Sequence, residues 1–130
     1  MSEDVKARCN ENNIDAVQRW AAENNLDVVF PEENQLFIDI DDYRSMEEFS
    51  RNRDIIHEVY GIVETRVSDS RSGYPKRHLV VVLNKKITSV MERLALQAIL
   101  GSDRRREANS LRRHLLYGEQ TPTLFFEVKE

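Results

Sequence analysis

The segment Gln35-Leu36-Phe37-Ile38-Asp39-Ile40-Asp41 limits the fold more than any other stretch of the chain. Its side chains alternate, with Leu36, Ile38 and Ile40 on one face and Phe37, Asp39 and Asp41 on the other. A strand with one wholly apolar row must lie in a sheet that is covered on that side. The same alternation sets two carboxylates side by side, about 7 Å apart by the rise of two residues.

The rest of the chain supplies the cover. Val5 to Cys9 and Ile14 to Ala22 read as helical, Trp20 anchors this lead-in to the core, and Asn24-Asn25 stops it. Leu26 to Phe30 fits a short strand, and Pro31 to Asn34 a turn. Ser45 and Glu48 have capping-box spacing at the start of a helix whose apolar side is Met46, Phe49, Ile56 and Val59, ending at Gly61. Ile62 to Val67 is a strand, Ser68 to Lys76 a polar loop, and His78 to Leu83 a strand. Thr88 can cap a helix carrying Val90, Met91, Leu94, Ala95 and Ala98. Gly101-Ser102-Asp103 interrupts it, Glu107 to Tyr117 resumes, and Thr123 to Lys129 is the last strand.

This is an α+β chain with the order βαββαβ after a short helical lead-in, which predicts a ferredoxin-like, RRM-like sheet with helices on one face. It reads as one domain over 1–130, with a lead-in over 1–34 and a core over 35–130. With Leu124, Phe126 and Val128 facing the helices, Phe125 and Glu127 join Phe37, Asp39, Asp41 and His78 on the open face. The first and last strands are expected to be neighbours, bringing Glu127 to the aspartates. The first and third are expected to run parallel, which would set Asp39 and Asp41 far along one strand from His78 at the start of the other.

Composition excludes several classes. No apolar run is long enough to span a bilayer and Met-Ser-Glu-Asp lacks the marks of a secretory signal, so a cytoplasmic protein without membrane contact is expected. Cys9, the single cysteine, leaves no internal disulfide and no thiolate zinc site. A net charge of −4 argues against a surface wholly built for nucleic acid. Arg104, Arg105, Arg106, Arg112 and Arg113 nevertheless cluster, and such a group can track a phosphate backbone.

Two carboxylates on one strand face suit a hard divalent cation, Mg²⁺ or Mn²⁺, bound alongside phosphates. Ser72-Gly73-Tyr74-Pro75-Lys76-Arg77-His78 brings together a hydroxyl, a glycine, two cations and an imidazole, groups that suit a triphosphate. These segments resemble, in order, motifs of the archaeo-eukaryotic primase superfamily. Phe37-Ile38-Asp39-Ile40-Asp41 is similar to the strand with two metal-binding aspartates. Ser72-Gly73, Lys76 and His78 are similar to the loop at the incoming nucleotide's phosphates. Thr121 to Glu127 resembles the strand of the last metal carboxylate, notably in polymerase domains of bacterial end-joining ligases.

The resemblance implies an RRM-like palm and nucleotidyl transfer from a nucleoside triphosphate to DNA or RNA. Asp39, Asp41 and Glu127 would be catalytic and hold Mg²⁺ or Mn²⁺, and Ser72, Lys76, Arg77 and His78 would hold the nucleotide. The third acid is Glu127 where the family usually has Asp, and 1–34 is too short for the further N-terminal α/β unit of active members. A reduced member from a virus or mobile element, active or degenerate, fits these departures. Two other readings stand beside it: a non-catalytic RRM-like module binding nucleic acid through Phe37, Phe125 and the arginines, and a regulator of a partner protein, which the sequence neither supports nor opposes.

Overall fold

The computed structural model describes residues 14–69 and 76–128. Cys9, the expected helix from Val5 and the loop residue Ser72 lie outside them. Helix α1 (Ile14–Glu23) buries Ala16, Val17 and Ala21 and ends at Asn25, whose φ of 57° is left-handed. Strand β1 (Leu26–Val29) follows, then β2 (Gln35–Ile40). Helix α2 (Tyr43–Tyr60) starts a turn earlier than expected. Its N-cap is Asp42, which accepts the Ser45 N–H at 2.8 Å, so Ser45 is not the cap. Strands β3 (Ile62–Asp69) and β4 (Arg77–Leu83) form the hairpin. Helix α3 (Val90–Ile99) is capped by Ser89 rather than Thr88, and α4 (Arg104–Tyr117) by Asp103. Strand β5 (Phe125–Val128) ends the described chain. None of these helices is long and apolar enough to cross a membrane.

The protein is α+β, and its central sheet has the strand order β2-β4-β3 with every pair antiparallel, as in a ferredoxin-like arrangement. Leu36, Ile38 and Ile40 of β2 and Leu79, Val81 and Leu83 of β4 make one apolar face. Ile56 of α2, Leu96 of α3 and Ile87 and Leu100 beside it close that core, so both helices cover the same side. Val59, expected on the apolar side of α2, is instead half exposed.

Two expectations about the strands are corrected. The first and third core strands, β2 and β4, run antiparallel, and Asp39 lies directly opposite His78. The last strand does not join β2. It pairs with β1 in a separate two-stranded antiparallel sheet, with Leu26 opposite Val128 and Val29 opposite Phe125. The reason lies on the outer edge of β2, where three side chains and one backbone N–H take the place of a strand. The Gln97 side-chain Oε1 accepts the Phe37 N–H at 2.9 Å, and Arg106 donates to the Phe37 carbonyl at 2.8 Å. The Ser102 hydroxyl accepts the Asp39 N–H at 3.0 Å, and the Asp103 N–H donates to the Asp39 carbonyl at 2.8 Å. With these backbone groups satisfied, a further strand would gain no hydrogen bonds there.

Candidate functional site

The antiparallel register assembles four of the expected residues at one end of the β2–β4 ladder. Asp39 Oδ1 lies 3.7 Å from His78 Nε2, and Asp41 Oδ1 lies 3.6 Å from Lys76 Nζ. Acid and base therefore alternate across two adjacent strands, where cross-strand side chains lie close together. Asp41 and Lys76 are about half exposed, whereas Asp39 and His78 are each about one quarter exposed. Asp42, next in sequence, is committed to capping α2, and its carboxyl is held below the usual range by the Ser45 N–H and hydroxyl. The carboxylate pair is thus Asp39 and Asp41.

Burial dominates the inner pair. It pushes the Asp39 carboxyl up against the lowering influence of Arg106 and His78. It pushes His78 down despite the nearby carboxylate. Both groups are drawn toward their neutral forms, because neither charge recovers from its partner what it loses in hydration.

The cover over this pair is aromatic. The Phe125 ring lies parallel to both Phe37 and His78, with centroids 4.5 and 4.2 Å away, and Arg106 sits 4.8 Å from its centre. Phe37 and Phe125 are consequently buried and are not available to stack bases, which removes the aromatic platform of the RRM-like reading. Phe126, next along β5, faces the other way and meets Trp20 edge-on at 5.1 Å.

Arg106, expected in a nucleic-acid-binding cluster, turns inward instead, toward Asp39 and the Phe37 carbonyl. Arg113 is also buried, 3.3 Å from Glu119 and donating to the Pro122 carbonyl. Arg104 lies against Glu48 at 3.6 Å with its side chain mostly exposed. Arg105 and Arg112 are not buried either, so three of the five arginines reach solvent. The spacing explains the division, since Arg106, Ser110 and Arg113 recur three to four residues apart on the inward face of α4.

The other expected residues do not converge. Glu127 is exposed on the two-stranded sheet opposite Asp27. Arg77 lies opposite Ile40, on the pleat face away from His78. Ser72 lies outside the described residues. Among those residues no three His, Cys, Asp or Glu side chains gather closely enough to hold a metal ion by themselves.

Sequence reasoning missed the support beneath the site. Gln97, fully buried, donates to both Glu107 carboxylate oxygens and to the Thr123 hydroxyl, at 2.9 to 3.2 Å. The Ser102 hydroxyl also donates to Glu107, at 3.1 Å. One signal was available: Gln97 occupies a position on the apolar stripe of α3 with Val90 and Leu94. A polar residue at a core position calls for a buried partner. Comparison of the chain with family models, with curated proteins and with solved structures finds no match.

Proposed function

We propose that the Asp39–Asp41 end of the β2–β4 ladder binds a nucleoside triphosphate together with Mg²⁺ or Mn²⁺, as the site of a reduced primase-polymerase-type nucleotidyltransferase. The observation that carries this reading is the alternation of Asp39 with His78 and of Asp41 with Lys76 across one register. In the free protein each carboxylate lies beside a basic group. A metal–triphosphate complex offers both signs at once, so the carboxylates can turn to the cation while Lys76 and His78 turn to phosphate oxygens. The cation then meets the carboxylates and Lys76 meets phosphate, while His78, drawn toward its neutral form, can donate a ring N–H to a phosphate oxygen.

The residues present fit such a cation in a restricted way. Magnesium is commonly held by one or two carboxylates with phosphate oxygens and water completing its shell, which Asp39 and Asp41 can provide. A free ion would want a further protein ligand, and Glu127 does not lie with the aspartates. Metal and nucleotide are therefore expected to bind together and weakly apart. When bound, the metal would offset phosphate charge during transfer. In that transfer a 3′-hydroxyl oxygen bonds to the α-phosphorus while pyrophosphate and the hydroxyl proton leave.

Thermal melts with Mn²⁺, with ATP or dATP, and with both together test the binding. The combination is expected to stabilise the wild type by about 2.7 kcal/mol at a hundredfold excess over the dissociation constant. The single components should do far less. Asp41→Asn and Lys76→Ala should abolish the joint effect. No shift in the wild type, or an equal shift in both variants, would exclude the site, and primer extension then separates transfer from binding alone.

A further inference from the structure

Strand β3 forms an outer edge of the central sheet, since β2-β4-β3 leaves its far side without a strand among the described residues. At eight residues it is longer than most strands, and long edge strands are usually blunted by charge, bulges or cover. Its bulge is Val63, the extra residue between Ile62 opposite Leu83 and Glu64 opposite Val82, and the pairing from Glu64 to Asp69 is regular. Two of its apolar side chains face solvent, Val63 at 62% and Val67 at 54% exposure. Between them Glu64 and Arg66 form a two-point ion pair, Nε–Oε1 and Nη2–Oε2 both at 3.1 Å.

The order of these residues is self-complementary. When β3 is laid antiparallel to a second copy with the two-fold axis at Thr65, Glu64 falls opposite Arg66 of the other copy, and Arg66 opposite Glu64. At the ends of this segment the exposed Val67 comes beside the bulged Val63 of the other copy, and Val63 beside Val67. Opposite charges are matched within the regular part of the strand, and β-branched apolar groups meet at its ends. An isologous contact needs this self-matching. A shift by one residue would set unlike side chains against each other on both faces.

We propose that β3 is a dimerisation edge, pairing with β3 of a second copy about an axis through Thr65 to make a continuous six-stranded sheet. This contact is independent of the nucleotide site. It uses edge backbone groups that pair with no other strand among the described residues, together with the Val63–Val67 contacts and a quartet of alternating charges.

Light scattering on chromatographed protein at high micromolar concentration tests it. Wild type is expected at twice the mass of one chain. Glu64→Arg should set Arg against Arg across the axis, Arg66→Glu should set Glu against Glu, and each alone should run at the mass of a single chain. An equimolar mixture of the two should regain the doubled mass. In the mixed pair the two substituted positions face each other with opposite charges, and so do the unchanged Arg66 of one variant and Glu64 of the other. The Glu64→Arg/Arg66→Glu double variant, which keeps both the internal pair and the complementarity, should remain dimeric. Wild type at single-chain mass, dimers that survive either single substitution, or a mixture that stays at single-chain mass would each overturn the proposal.

Discussion

Asp39 and His78 face each other across β2 and β4, and burial acts on them in opposite directions. The Asp39 carboxyl is raised above its ordinary 3.8, so above that pH the native state holds protons that the unfolded chain has released. Stability from this group is therefore present at low pH and lost as pH rises through the folded value. The His78 imidazole is lowered below its ordinary 6.5, so below that pH the unfolded chain binds protons that the native state excludes. Its contribution is present above 6.5 and lost as pH falls through the folded value. Asp39→Asn, which keeps the shape and removes the charge, is accordingly expected to raise the melting temperature at pH 7 while abolishing stabilisation by Mn²⁺ and nucleotide. That gain should shrink as the pH approaches 4. His78→Gln should reduce the acid-side loss of stability. A lower melting temperature for Asp39→Asn at pH 7 would mean that Arg106 and His78 outweigh the burial of the carboxylate. A group that is costly to the free protein and needed for the ligand is what stability–function trade-off leads one to expect at a working site.

The elements beside the site are held by the junction between α3 and α4. Gly101 has a φ of 87°, and a Cβ built there would run into the Ser45 carbonyl oxygen, with the Glu48 Cβ 3.2 Å away. Gly101→Ala is expected to destabilise the fold by about 2 kcal/mol or more, from the left-handed backbone and the displacement of α2 together. Denaturant titration measures this, and a loss under about 0.5 kcal/mol would show that the junction moves freely. Much at this scale was legible in the sequence. Alternation revealed β2 and β4, and apolar spacing with flanking stop residues revealed the helices, because these signals arise within a few consecutive residues. The partner of β5 was not legible. It depends on Gln97, Ser102, Arg106 and Asp103 reaching the β2 edge from 60 or more positions away, and in sequence they resemble surface residues. The candidate site was legible as a set of residues, since Asp39, Asp41 and His78 share a pleat face. Its contacts were not, since they follow from an antiparallel register that the residue types alone leave open. The inward turn of Arg106 is hidden for a related reason: three successive arginines reveal no facing direction until the helix phase is known.

At the scale of the molecule, two small sheets meet at one aromatic ring. Strand β5 is tied to α1 and β1 on one side through Phe126 and Trp20, and to the central sheet on the other through Phe125. The segment before it is pinned to α4, where Ser110 and Arg113 donate to the Pro122 carbonyl, and to α3, from which Gln97 donates to Thr123. Phe125 thus couples the packing of α1 to the electrostatics of His78, because the ring that joins the sheets also shields the imidazole from water. Phe125→Ala should cost about 3–5 kcal/mol as a large-to-small core substitution. It should also let the His78 pKa rise back toward 6.5 as water reaches the ring. The two effects have different readouts, denaturant unfolding for the first and an NMR titration of the His78 ring protons for the second. Phe126→Ala separates them, since it removes the Trp20 contact without uncovering His78. It is expected to speed hydrogen exchange in α1 and β1 while leaving the His78 titration where it was. If Phe126→Ala moves His78 as far as Phe125→Ala does, the shielding comes from the whole two-stranded sheet rather than from the one ring stacked on the imidazole.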